Sequence, residues 1–241
     1  MTKVSERLKR LSESATLAMA RMSRELKEKG HNVIPLSLGE PDFDTPDFIK
    51  VAAKKAIDDN FSHYTPVPGL PELRTAISNK FKRDNNLDYS AEQIVVSTGA
   101  KQSLANVCLS LLNPGDEVLL PTPYWVSYAD IVTLSEGVSV KIESKIENDF
   151  KITAAQLESK ITDKTKLLMF SSPCNPSGTV YTKKELTDIA EMLEKYPNIY
   201  IIADEIYEHI NFTEEHFSIG SIPSIKERVI TVNGVSKGFA M

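Results

Sequence analysis

From about residue 94 onward, short runs of Val, Ile and Leu alternate with longer segments whose apolar positions recur at helical spacing. Ile94-Val95-Val96-Ser97, Glu117-Val118-Leu119-Leu120, Lys166 to Ser171, Asn198 to Ala203 and Arg228 to Val232 read as strands, each bounded by turn residues. Ala100 to Leu112, Tyr124 to Leu134 and Lys184 to Lys195 read as the intervening helices. Near-continuous apolar strands belong in a sheet covered on both faces, and strand–helix alternation belongs with parallel pairing. The predicted fold class is therefore α/β, a three-layer arrangement of a mostly parallel sheet flanked by helices. Ahead of this region, Ala15 to Lys29 reads as a helix capped by Ser14 and ended by Gly30. Val33 to Leu38 reads as a short extended segment, and the breaker-rich stretch Gly39 to Pro46 as a shaped loop. Asp47 to Asn60 and Glu72 to Asp84 have helical spacing, separated by the loop Tyr64 to Pro71. Neither a repeat nor a low-complexity linker interrupts the pattern.

Composition narrows the class without naming a chemistry. The chain has 241 residues, 41% hydrophobic and 25% charged, as in ordinary soluble globular proteins. A net charge of -5, with basic residues scattered among acidic ones, gives no reason to expect nucleic acid. The N-terminus lacks the apolar run of a secretory signal, and no apolar stretch approaches the roughly 20 residues that cross a bilayer. The two cysteines, Cys108 in a helix-like and Cys174 in a loop-like segment, suggest reduced thiols in a cytoplasmic protein. The four histidines have no neighbours at metal-ligand spacing and read as structural or surface residues.

Four loops carry candidate chemistry, each following a predicted strand. Ser97-Thr98-Gly99-Ala100-Lys101 ends a strand in glycine and opens a helix, whose free N–H groups and dipole suit an anion; a plain tight turn reads the same. Ser172-Pro173-Cys174-Asn175-Pro176-Ser177-Gly178 brackets an asparagine with prolines, presenting an amide donor and acceptor on a stiff loop or forming an ordinary turn. Asp204-Glu205-Ile206-Tyr207 puts a carboxylate after an apolar strand, as a helix cap or as the partner of a buried cation. Ser236-Lys237 delivers a lysine beyond the last strand, at the sheet edge where open α/β folds gather ligands, or at the surface. Taken together they supply an amine, an anion cradle, a carboxylate and donors for a ring oxygen, the inventory that pyridoxal phosphate requires.

These stretches, with Leu38-Gly39-Glu40-Pro41-Asp42-Phe43, Tyr64-Thr65-Pro66-Val67-Pro68-Gly69 and Pro123-Tyr124-Trp125-Val126-Ser127-Tyr128, resemble the fold-type I, class I aminotransferases, in particular the bacterial aspartate aminotransferase subgroup. The likeness runs from about Ser12 to Met241. It implies that Lys237 holds pyridoxal phosphate as a Schiff base and acts as general base. Asp204 would pair with the pyridine nitrogen, Asn175 and Tyr207 would bond the phenolic oxygen, and Trp125 would stack on the ring. Gly99, Ala100 and Lys101 would lie at the phosphate end, and Ser236 would also contact the cofactor. Lys101 would reach the distal carboxylate of the substrate, while Gly39 and Asn175 would receive its α-carboxylate. Tyr64 would cross a homodimer interface to the neighbouring site. The implied reaction converts aspartate and 2-oxoglutarate to oxaloacetate and glutamate, with amino acids and 2-oxo acids as substrates and no metal.

The same resemblance implies an N-terminal arm with part of a small domain over residues 1–45 and a cofactor-binding domain over 46–241. Family chains run on past the position of Met241, so arginines for the phosphate and the α-carboxylate are expected beyond it, and the chain reads as incomplete with an exposed apolar edge. Cys174 stands where the family more often has asparagine, and Ser12 near where prephenate-using relatives have lysine, which argues against that side activity. Other readings are a related aminotransferase or lyase of different specificity, and a cofactor-binding protein or partner module without activity. A nucleotide-binding domain is disfavoured, since neither Gly-x-Gly-x-x-Gly nor a P-loop opens a helix.

Overall fold

The computed structural model describes residues 4–11, 13–36, 38–213 and 215–241. The readings that touch residues 1–3, Ser12 and Ser37 therefore lie outside the described residues.

The structure has a five-stranded, wholly parallel sheet of β1 (Glu117–Pro121), β2 (Val138–Ile142), β3 (Thr165–Ser171), β4 (Tyr200–Asp204) and β5 (Val229–Val232), in the order β2-β1-β3-β4-β5, and four of the predicted apolar runs supply all but β2. The helices are α1 (Glu6–Lys9), α2 (Ala15–Glu28), α3 (Asp47–Asp58), α4 (Pro71–Asn85), α5 (Ala100–Leu111), α6 (Ser127–Leu134), α7 (Ala154–Glu158) and α8 (Lys183–Leu193). Successive strand residues feed two separate cores, as the period of two requires. Val118, Leu120, Leu167, Met169 and Ile202 pack on Leu104 and Cys108 of α5 and on Tyr128, Ile131 and Val132 of α6. Leu119, Leu168, Phe170, Ile201 and Ala203 pack on the other side, on Leu157 of α7 and on Leu186, Ile189 and Leu193 of α8. These two cores make the three predicted layers. Among the described residues no helix is long and apolar enough to cross a membrane.

The caps read from sequence form: Leu17 N–H donates to Ser14 Oγ, and Gly30 takes a φ of +86° just past α2. Two strand assignments need correction. Ile94–Ser97 is not part of the sheet: Ile94 O accepts from the Arg74 guanidinium, and Val96 N–H donates to Pro68 O, so loop and side chain take the groups a neighbouring strand would use. Conversely, β2 is a strand that the apolar runs do not reveal. It is an edge strand with only Ile142 buried, and its alternation of Val138, Val140 and Ile142 with Ser139 and Lys141 is the half-covered pattern. Val33–Leu36 is likewise in no strand.

α3 and the chain after it carry Phe48, Val51, Ile57, Phe61 and Val67 exposed to solvent. Gly69 packs tightly instead: its φ is +106°, and a Cβ at this position would stand only 2.8 Å from Val96 Cγ2.

Candidate active site

Parallel register aligns the carboxyl ends of the strands, so their loops meet at one edge. Ser171 stands beside Asp204, and Asp204 beside Val232. The order reverses between β1 and β3, the switch point at which open α/β sheets form a crevice. There the Cys174 thiol lies 3.6 Å from Pro123 O, joining the loops that follow these two strands.

Asp204 ends β4 with only 4% of its surface exposed. Its Oδ2 accepts from the Tyr128 hydroxyl at 2.6 Å, and its Oδ1 from Ile206 N–H at 3.2 Å. Burial pushes the carboxyl up to about 6, the neighbouring Glu205 adds to the rise, and the two hydrogen bonds oppose it. Both donors are neutral, so the site offers an acid whose charge is stabilised by hydrogen bonds alone. Such a group gains most from a cation placed beside it.

Beyond Asp204, Tyr207 turns its ring toward the turn after β5. The Lys237 ammonium lies 5.7 Å from the ring centroid, and the hydroxyl accepts a long 3.4 Å bond from Asn175 Nδ2. Burial raises the Tyr207 hydroxyl, against the effect of the Asn175 bond. Lys237 Nζ donates to Gly39 O at 2.7 Å, and Thr45 Oγ1 donates to Ala240 O. The Gly39–Thr45 loop thus clasps the lysine turn at two points. Ser236 is exposed within the same turn.

On the other flank, Gly99 adopts φ +85° ahead of α5, and a Cβ there would meet nothing within 4 Å. Gly99 and Lys101 are exposed and Ala100 half-buried at this helix start, which leaves it accessible to an anion. Lys101 Nζ sits 4.8 Å over the Trp125 ring, and Trp125 meets Tyr128 edge-on at 5.7 Å. A continuous series of contacts therefore leads from Lys101 through Trp125 and Tyr128 to Asp204. Gly39, Asn175, Tyr207 and Lys237 form a second connected group. Tyr64 joins neither, being fully exposed at 107%.

Sequence reasoning misses two features. Tyr128 stands out there only as part of a motif, although it makes the closest side-chain contact with Asp204. Behind the loop after β4, Glu205 and Glu208 are buried with His216 nearby, their ligand atoms within 4.8 Å of one another. Glu205 accepts from Ser218 Oγ at 2.6 Å and contacts His216 Nε2 at 3.0 Å. Glu208 accepts from Asn85 Nδ2 at 2.5 Å and pairs with Lys80. Burial acts to raise the Glu208 carboxyl, but the bonds from Asn85 and Lys80 bring it below its usual value. Lys80 reaches Glu208 from α4, and His209 Nε2 lies 3.1 Å from the same carboxylate, so the cluster ties α4 to the loop carrying Asp204 and Tyr207. Local spacing flags only the pair of carboxylates three residues apart.

Residues 31–241 match the family described as Aminotransferase class I and II. The chain is 51% identical over 243 residues to a probable aspartate/prephenate aminotransferase of Rickettsia typhi, covering 100% of this chain and 61% of that protein. It is 46% identical to an aspartate/prephenate aminotransferase of Cereibacter sphaeroides, again over 61% of that protein. Its structure superposes with a TM-score of 0.95 and 41% identity on an aspartate aminotransferase from Thermus thermophilus with maleate, covering 100% of this chain and 62% of that one. An aspartate aminotransferase from Rhizobium meliloti gives 0.97 and 41%, with 100% and 61% covered. The chain thus spans 61% of the length of these curated relatives.

Proposed function

The chain belongs to the class I and II aminotransferase family, and from that premise we propose that it takes part in pyridoxal-phosphate-dependent transamination, with aspartate and 2-oxoglutarate as the favoured pair. Asp204 carries the reading: a buried carboxylate that accepts from two neutral donors at the carboxyl end of β4 fits the cationic ring nitrogen of that cofactor. The rest of the inventory also fits. Gly99, Ala100 and Lys101 would hold the phosphate and Ser236 would also contact the cofactor, with Tyr64 reaching the site of a second copy in a homodimer. Trp125 would cover the ring face, and Asn175 and Tyr207 would donate to the ring oxygen.

When bound, pyridoxal phosphate supplies an electron sink next to the amino-acid Cα. Asp204 keeps that sink effective by stabilising positive charge at the ring nitrogen. Lys237 would hold the cofactor and, once its Nζ is released as a neutral amine, take the proton from Cα of the substrate. A free lysine, with a reference pKa near 10.4, is mostly protonated at neutral pH, so release in the neutral form is what makes it a base. Before that, Lys237 must leave Gly39 O, its present acceptor. Gly39 and Asn175 would then be available to the α-carboxylate, and Lys101, which sits over the Trp125 ring, to the distal carboxylate.

The names of the Rickettsia and Cereibacter relatives favour a second reading in which prephenate is also an amino-group acceptor. The test is to add pyridoxal phosphate to the purified protein, reduce with borohydride and map the labelled peptide, then assay 2-oxoglutarate and prephenate as acceptors from the same donors. A label on Lys237 and aspartate-dependent turnover support the proposal. A folded protein that takes no label, or takes it elsewhere, refutes it.

A further inference from the structure

We propose that Tyr128 is a positioning residue for Asp204, fixing the plane and the charge of its carboxylate toward the cofactor ring nitrogen. The inference rests on the reading of Asp204 given above and deepens it. Its basis is geometric. Tyr128 is 1% exposed and Asp204 4%, and the O–H···O distance of 2.6 Å is in the range of charge-assisted bonds. Oδ2 receives Tyr128 and Oδ1 receives Ile206 N–H, so a donor on each oxygen fixes rotation of the group. A carboxylate has about four lone-pair sites, which leaves acceptor capacity on both oxygens for an incoming cation.

The tyrosine is itself held in place. Its ring stacks on Tyr124 at 6.5 Å and meets Trp125 edge-on at 5.7 Å, and it lies in the core shared by α5, α6 and the sheet. Burial raises its hydroxyl well above the ordinary value, so it remains a donor throughout the neutral range. The other titratable groups facing the pair are Glu205 in the same chain segment, Tyr207 on the same loop and Cys174 from the loop after β3. Glu205 disfavours the Asp204 charge, whereas Tyr128 and the Ile206 N–H favour it. Without the hydroxyl, Asp204 keeps its proton to higher pH and loses one of its two fixed donors.

The test compares wild type, Tyr128→Phe, Asp204→Asn and the double variant, measuring pyridoxal phosphate dissociation constants across a pH range spanning the Asp204 value of about 6. The Asp204 carboxyl is followed in the same proteins by carbon-13 NMR without added cofactor. Emission from Trp125, the single tryptophan, reports whether ring packing survives loss of the hydroxyl. Tyr128→Phe is expected to weaken cofactor binding by about ten-fold near neutral pH, the size of a lost hydrogen bond to a charge. It is also expected to move the Asp204 titration, and the pH below which affinity falls, upward together. In the Asp204→Asn background it should have little further effect, because its action runs through the carboxylate. If Tyr128→Phe leaves titration and affinity unchanged while Asp204→Asn weakens binding, the positioning role is overturned and the cofactor reading stands. An equal loss from Tyr128→Phe with and without Asp204 also overturns it. If Asp204→Asn binds cofactor as wild type does, the reading of the site fails, and this inference with it.

Discussion

Removing the charge of Asp204 should make the cofactor-free protein more stable at neutral pH. The carboxyl is raised from 3.8 to about 6, chiefly by burial. Between those values the native state holds a proton that the unfolded chain has released, so stability falls as pH rises through that window. The penalty is absent below about pH 4 and complete above about pH 6, where the displacement corresponds to about 3 kcal/mol. In Asp204→Asn the amide oxygen can accept from Ile206 N–H, and its Nδ2 can donate to the Tyr128 oxygen, so both neighbours keep partners. Burying the amide has its own cost, which leaves an expected gain of about 1 to 3 kcal/mol near neutral pH. Urea denaturation of both proteins without cofactor, followed by Trp125 emission at about pH 4 and about pH 7.5, measures it. The gain should be confined to the higher pH. An Asp204→Asn protein that is no more stable at neutral pH, or equally stabilised at both, refutes the reasoning. The same substitution should weaken cofactor binding, a trade of stability for function expected at binding sites.

Lys237→Ala should abolish covalent trapping of the cofactor by borohydride and reduce turnover by more than the about 10² to 10⁴-fold typical of a lost acid–base group, measured in the aspartate assay. Lys80→Ala should cost about 2 kcal/mol in urea denaturation, because buried Glu208 loses its lysine partner and keeps only His209 Nε2 and Asn85 nearby, and adding Glu208→Gln should recover part of the loss. Gly69→Ala should lower the melting temperature, since φ is +106° and the new Cβ would stand 2.8 Å from Val96 Cγ2, with a cost of about 1 to 3 kcal/mol. An unchanged melting temperature would count against the close approach. Cys108 is fully buried and its thiol is pushed up to about 12, so a thiol reagent should label Cys174 in the native protein and Cys108 only on denaturation; rapid native labelling of Cys108 would count against its place in the core.

What can be read from the sequence is local. Ser14 and Gly30 announce the two ends of α2, because cap chemistry involves residues within a turn of each other. The runs that form β1, β3, β4 and β5 are nearly all apolar because each is covered on both faces, and that pattern survives without knowledge of the neighbours. β2 escapes notice because an edge strand is only half covered. Ile94–Ser97 misleads because a β-branched run has the composition of a strand whether or not another strand pairs with it. The candidate site is legible as a set of loops after strands, together with the resemblance, whereas the partners of those loops are not.

The sequence by itself therefore determined the longer helices, the four strands covered on both faces, the parallel layered class and the residue types available at the sheet edge, since periodicity and capping act over one or two turns of chain. Only the tertiary structure decided which of those residues meet. Tyr128 reaches Asp204 across 76 positions, Lys80 reaches Glu208 across 128, and Lys237 finds Gly39 O across 198. Strand order and register bring these groups together, and burial then sets the charge on Asp204. No local pattern encodes that outcome, because desolvation depends on everything packed around the carboxylate.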